Sequence, residues 1–562
     1  MTPHERYERW LEECEDERLL AQLEALDAED DDLIAELFST QLELGADGLV
    51  CELGAGANRL NPISLGRLVQ GYASELKARA KHVVVAIAHD THAEALALAQ
   101  SCAGVLAANG IDCQMVDEPA PLPLLSYAVR ELACDAGIYV GGGAADASCC
   151  GLRFLSAAGA TLGEKATSEV NEAARGLDEL DDVRSIGMQS AHTLGRIRQM
   201  DARIADEYLA SVMADGLSEA GDETCRLDVT LTTLNGAALA AMTSAFDRLG
   251  LGRITYVPEQ TTPDSSFSTC NPPDPCSAAS LATALERCEE ASSDLLIACD
   301  PEGRRLGVAI RENARYRLLS DGELANLLVD YVCRMREHRG NDMGQSLVLG
   351  ACGVAPLAEA IAGEHGVAIE RRLPYVAQGA ERLVRLAERH EEQRMALGFF
   401  GDGLYLVGSH CCEADAIAAA VLVCQMARHA KRGGTTLAEQ LEWISYTHGS
   451  RAERVLAIPF AGMDAAKTRA GVLASLRSQP PTSFAGTAIV RVDDYLADDC
   501  PYGTCDMLGF ALEDGSEVLL APDGSRMTLN ARLIARGDTV PRAEERATSL
   551  EGAARFLVAG RM

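Results

Sequence analysis

Residues 137–151 read GIYVGGGAADASCCG, an apolar strand that ends at Val140 and delivers a loop with nothing reactive at its tip. Gly141, Gly142 and Gly143 let backbone approach a ligand closely, yet none carries a group that can attack or donate a proton. Upstream, HVVVAIA (82–88), an apolar-periodic helix over 91–109, IDCQM (111–115), a second helix over 124–134 and AGIYV (136–140) alternate strand and helix. That alternation predicts a parallel sheet with helices on its faces. Ligands of such sheets sit at the carboxyl ends of strands, so the loop after Val140 is where chemistry is expected.

Working outward, the same plan recurs. RLDVTL (226–231), a helix over 237–249, ITYV (254–257), a Pro-rich loop and DLLIAC (294–299), which ends at Asp300, form a second unit. SLVLGA (346–351), GVAIE (366–370), LGFFGDGLYLV (397–407) and a long Ala-rich helix over 414–430 form a third. After the Pro480-Pro481 break, short strands around DMLGFALEDGSEVLLAPDGS and a closing helix near 542–558 form a smaller unit.

Composition bounds the function. A chain of 562 residues exceeds a single core, and about three to five domains are expected. The start, MTPHERYERWLEECEDE, is highly charged, and no apolar run approaches ~18 residues, so a soluble, cytoplasmic protein is expected. The 19 cysteines are scattered through apolar segments, which suits reduced thiols. A formal charge of −34 argues against nucleic-acid and membrane partners. The acidic run 29–32 reads as a solvated helix face.

Six ordered segments resemble one family. They are LELGADGLVCELGAGANRLN, LLSYAVRELACDAGIYV, VPEQTTPDSSFSTCNPPDP, DLLIACDPEGRRLGVAI, LGFFGDGLYLVGSH and LEDGSEVLLAPDGS. The chain is similar to the alpha-D-phosphohexomutase superfamily, in its phosphoglucomutase/phosphomannomutase branch. The resemblance implies a four-domain α/β architecture, with three related α/β domains of mixed sheets and a smaller C-terminal α+β domain around a central cleft. The expected divisions are 1–205, with an N-terminal extension, then 206–335, 336–455 and 456–562. The family moves a phosphoryl group between two hydroxyls of one sugar, using a phosphoserine, Mg2+ held by aspartates, sugar-binding glutamates and a cationic phosphate pocket.

The resemblance places these parts on altered residues. The nucleophile falls on Gly143 and the following His on Ala144, and the nearest hydroxyl is Ser148, five positions on. The metal loop reads Asp300-Pro301-Glu302-Gly303-Arg304-Arg305, with Arg304 standing where the third aspartate belongs. Mg2+ favours hard oxygen ligands in octahedral geometry, so Arg304 is expected to disfavour it and to pair with Asp300 or Glu302 within the turn. In the sugar loop, Phe400 and Gly401 take the glutamate positions, leaving Asp402 as an acceptor; an apolar ring there would leave sugar hydroxyls unpaired. The phosphate loop loses the family's leading Arg and its Lys and places Asp523 near the anion, leaving Gly524, Ser525 and Arg526 as a weak anion nest, and Val50, His92 and Ala377 fall at or near other cationic positions of the family. Arg59 and Arg305 are retained.

The leading expectation is a pseudoenzyme with a binding or regulatory role, without a cofactor, whose partner is an active mutase relative or a phosphosugar-like small molecule. One alternative is an active mutase, an isomerase of carbohydrate metabolism, that uses Ser148 and Mg2+. Another is a sensor that binds a sugar phosphate or other anion through Ser525 and Arg526. The vicinal pairs Cys149-Cys150 and Cys411-Cys412, and the Cys500/Cys505 spacing, are expected to be structural cysteine, with a thiol or soft-metal site as the alternative for the pairs.

Overall fold

The computed structural model describes residues 1–312, 315–460, 465–497, 500, 502, 504–522 and 528–561. Four sheets carry the chain. The first has the order Leu49–Glu52, Cys149–Ser156, Ala136–Val140, Val84–His89, Asp112–Met115, Ile197–Gln199. Ala136–Val140, Val84–His89, Asp112–Met115 and Ile197–Gln199 run parallel, and Cys149–Ser156 returns antiparallel beside Ala136–Val140. All five residues of Ala136–Val140 are buried, as a parallel strand covered on both faces requires.

The second sheet, Arg315–Leu318, Leu306–Glu312, Leu295–Cys299, Val229–Thr232, Ile254–Tyr256, repeats this plan. So does the third, Ile369–Arg372, Leu347–Ala351, Met395–Gly401, Leu404–Val407. In each of the three, parallel strands are followed by one strand that folds back antiparallel on the last of them. The loops at 141–148, 300–305 and 402–403 are therefore topologically equivalent turns. The fourth sheet is built of antiparallel pairs, in the order Ser450–Pro459, Thr528–Gly537, Glu517–Pro522, Leu508–Leu512, Thr487–Asp494, Ser483–Phe484. Its first strand runs through the expected division at 455–456.

Local sequence explains where the helices begin. Asn61 caps Pro62–Arg79 in a capping box with Ser64, with proline in the first turn. Ser320 and Glu323 do the same for Asp321–His338. The helix expected over 91–109 starts only at Ala95, because Glu94 has φ 64 and His92 is tied back to Asp90. The helix expected over 124–134 is Leu122–Glu131. Three amphipathic helices, Pro3–Glu13, Glu17–Glu24 and Asp31–Phe38, form the N-terminal extension and bury Tyr7, Trp10, Leu23 and Phe38 around Ala55 and Ala57. Among the described residues no helix is long and apolar enough to cross a membrane.

Candidate functional site

The three equivalent turns meet. A Cβ placed on Gly143 would lie 3.0 Å from the Glu302 carboxyl carbon and 3.4 Å from Asp300 Oδ2, so the position expected for the nucleophile faces the position expected for the metal. The second and third turns join where Arg305 bridges to Leu404 and the Leu306 N–H donates to the Gly403 carbonyl at 2.8 Å.

Most of the described groups expected to hold a ligand are engaged within the chain. At the first turn, Asp90 follows the strand next to Ala136–Val140. Its Oδ2 accepts from the N–H groups of Gly142 (2.9 Å) and Gly143 (3.3 Å) and from His92 Nδ1 (2.8 Å). The carboxylate thus sits where loop N–H donors would cradle an anion. Burial opposes its charge, but His92 and these hydrogen bonds hold Asp90 below the usual carboxylate range. The His92 ring lies so close to Gly142 that a Cβ there would fall 2.6 Å from it. Gly143 has φ +56, a conformation that side chains other than glycine's adopt at a cost.

Ser148 is exposed and donates to Asp146 Oδ1 at 2.9 Å, in a turn that Asn271 fastens through Asp146 and Ala147. The hydrogen bonds from Ser148 hold the Asp146 carboxyl below its usual range, so the group paired with this hydroxyl is a weak base.

At the second turn, Asp300 Oδ1 accepts from the N–H groups of Arg304 (2.8 Å) and Arg305 (2.9 Å). Glu302 is paired with Arg153, which the antiparallel strand Cys149–Ser156 supplies. Arg304 keeps an ion pair with Glu302 of its own turn, as expected, but its side-chain hydrogen bonds go to carboxylates outside the turn. Its guanidinium forks onto Asp47 at 3.0 and 3.1 Å and reaches Glu413 at 3.2 Å, with Glu302 at 3.9 Å. The loop is too short to satisfy a fork of five donors, so the side chain reaches partners from two distant segments. Arg304, Glu302 and Glu413 are 2 %, 1 % and 1 % exposed. Burial raises the Glu302 and Asp300 carboxyls above their usual range against the pull of the nearby arginines.

The donor set does not fit Mg2+. One carboxylate is held by backbone N–H groups, the second by Arg153, and a fixed cation stands among them.

At the third turn Phe400 is 2 % exposed and packs on Gly379 of the helix Val376–Ala387 and beside Gly398. Its strand, Met395–Gly401, is buried on both faces, so the ring belongs to the core. The space of a side chain at Gly401, φ +84, is held by Arg532, whose Nη2 would lie 2.6 Å from a Cβ there. Arg532 comes from the fourth sheet and pairs with Asp402 at 3.2 Å and Asp321 at 3.1 Å. Asp402 is thereby occupied as an acceptor. The retained Arg59 is paired too, with Glu36 of the extension at 2.6 Å and Glu52 at 3.2 Å. Arg305 is near Asp274 and Asp402, which keep it firmly charged despite burial. Gly524, Ser525 and Arg526, with Asp523, lie outside the described residues.

Cys150 and Cys412 are buried in apolar clusters, Cys149 is half-buried, and Cys411 lies beside His410. Cys500 is half-buried, and Cys505 lies 3.0 Å from the Tyr375 hydroxyl.

The family model for phosphoglucomutase/phosphomannomutase alpha/beta/alpha domain I matches residues 41–181, and that for domain II matches 206–313. Phosphoglucomutase of Staphylococcus aureus (strain MRSA252) is 25 % identical over 470 residues, which is 83 % of this chain and 82 % of the relative. The chain belongs to the alpha-D-phosphohexomutase superfamily. This phosphohexomutase also shares its fold with a phosphoglucomutase/phosphomannomutase family protein of Burkholderia thailandensis (TM-score 0.66, 15 % identity, 91 % of this chain and 97 % of that one). It shares it likewise with parafusin, a phosphoglucomutase of Paramecium in an open form (TM-score 0.64, 14 % identity, 93 % and 95 %).

Sequence reasoning singled out Gly143, Glu302, Arg304 and Asp402 but missed Asp47, Asp90, Arg153, Glu413 and Arg532. A buried arginine in place of an aspartate demands compensating carboxylates, and that requirement was the available signal. Asp47 and Glu413 stand within or just beyond segments that carry the resemblance.

Proposed function

We propose that this phosphohexomutase is non-catalytic and acts as a binding or regulatory protein. Its proposed partner is a catalytically competent relative or a phosphosugar-like small molecule, and it needs no Mg2+ at the turn 300–305. The observation that carries this reading is the Arg304 guanidinium, sealed among Asp47, Glu302 and Glu413 where the family resemblance places a metal ligand. Phosphoryl transfer depends on positioning a nucleophile and neutralising the moving group. Here the position the resemblance gives the nucleophile is glycine, the N–H donors of Gly142 and Gly143 are taken by Asp90, Arg59 is paired with Glu36, and Arg305 lies near Asp402 and Asp274. Residues 1–2 % exposed cannot touch a hexose phosphate.

The test is a coupled mutase assay with glucose 1-phosphate and mannose 1-phosphate, a bisphosphate activator and Mg2+. The expected result is no turnover above background, for the native chain and for Gly143→Ser alike. Turnover in the ordinary range of about 1–1000 per second, lost in Ser148→Ala, would overturn the proposal and assign a displaced nucleophile.

A further inference from the structure

On the loop that carries Glu413, adjoining the second turn, a second buried cluster lies between the strand Leu404–Val407 and the helix Ala416–Arg432. His410, Cys411 and Asp415 each present a ligand atom, all within 4.8 Å of one another. His410 Nε2 is 2.7 Å from Asp415 Oδ2, and Cys411 Sγ is 3.9 Å from the same oxygen. We propose that these three side chains bind a divalent metal of the zinc class, at a site separate from the family's metal loop.

Four features support this. The donors are one imidazole nitrogen, one thiol sulfur and one carboxylate oxygen, a mixed set that suits a borderline-soft ion and not Mg2+. Each is oriented by a further group. His410 Nδ1 lies 2.8 Å from Asp215 Oδ2, the carboxylate–histidine arrangement that sets the tautomer and direction of a metal-binding imidazole. Asp415 Oδ1 is fixed by the N–H groups of Ile417 (2.8 Å) and Ala418 (2.9 Å), and the Tyr208 hydroxyl donates to Oδ2 at 2.9 Å. Arg130 steadies the backbone by donating to the carbonyls of Ser409 and His410, each at 2.9 Å.

The third feature is burial: all three side chains are buried, so an ion held by them would be screened from bulk water. The fourth is nearness to the surface on the far side of the ring, where the Asp215 side chain is 30 % exposed. Three protein donors leave one tetrahedral position for water. A bound ion would tie the end of the helix Arg203–Ala214 to the loop that carries Glu413, and so to Arg304.

The test uses the full-length protein, stripped with a chelator and titrated with Co2+ and then Zn2+. One equivalent of Co2+ should bind with a thiolate-to-cobalt charge-transfer band, and Zn2+ should displace it. Cys411→Ser should lose the band and Cys412→Ser should keep it. Asp215→Asn, which removes no ligand, should weaken affinity about 10- to 100-fold, and it keeps the test open if Cys411→Ser fails to fold. Absence of stoichiometric uptake, a band that survives Cys411→Ser, or unaltered affinity in Asp215→Asn would each overturn the proposal.

Discussion

Replacing Arg304 with methionine keeps much of the side-chain volume and removes the cation. Arg304 contacts Asp47 at 3.0 Å, Glu413 at 3.2 Å and Glu302 at 3.9 Å. The Asp47 side chain is 40 % exposed, so water can replace much of what it loses. Glu413 and Glu302 are sealed. Opposite charges about 3 Å apart interact by roughly 5 kcal/mol at an effective dielectric of about 20, and stranding a buried partner typically costs about 3–5 kcal/mol net. Glu302 retains Arg153, whereas Glu413 retains only Thr161 and its neighbour's N–H, so Glu413 should carry most of the loss. For a cooperative unit of about 150–250 residues, the melting temperature should fall by about 6–20 °C. Differential scanning calorimetry reads this directly. Arg304→Met combined with Glu413→Gln should recover a substantial part of the deficit, giving a non-additive cycle. A melting shift under about 2 °C, or strict additivity in the double variant, would refute the assignment of Arg304 as the charge balancing this site.

Three further outcomes follow from the same geometry. Gly143→Ser should lower stability by about 1–2 kcal/mol from its left-handed backbone, with added crowding against Glu302, and calorimetry checks this alongside the assay for restored activity. Ser148→Ala, which removes only an exposed hydroxyl bound to Asp146, should change stability by no more than about 0.5 kcal/mol in urea titration. Glu453, on the strand Ser450–Pro459, is pushed by burial from its ordinary value of 4.5 to about 7, near Arg532 of the same sheet and Asp321 and Glu323 of the adjacent helix. The folded state therefore holds a proton that the unfolded state has released, and stability should fall as pH rises from about 4.5 to 7. At 1.36 kcal/mol per pH unit this amounts to about 3 kcal/mol. Glu453→Gln should flatten this limb; an equally steep decline in the variant would rule Glu453 out as its source.

The strand–helix alternation made the three related sheets legible, because parallel strands buried on both faces need continuous apolar runs such as AGIYV and DLLIAC. The turns that follow them were legible for the same reason. What stayed hidden was long-range pairing. Arg304 and Asp300 are neighbours in sequence, yet the side chain of Arg304 finds Asp47 and Glu413, separated from it by 257 and 109 positions. The burial of Phe400 was not legible because a motif alignment assigns a position and not the packing partners, here the helix Val376–Ala387, that cover it. The helix at 95–108 began late because the backbone of His92 was committed to Asp90, a tertiary demand that periodicity does not carry.

The partners of Arg304 have a consequence for the history of the chain. A codon change that returned an aspartate at 304 would set five acidic side chains, at 47, 300, 302, 304 and 413, around an interior relieved by Arg153 and Arg305 among the described residues. Such an intermediate is penalised before any catalytic benefit returns, since Gly143 still lacks a hydroxyl. Each substitution that settled one turn has thus become a precondition for the others. On the reading proposed here, the descent from an active ancestor works as a ratchet: single reversions are selected against, and only a concerted replacement across the turns would reopen the route to catalysis.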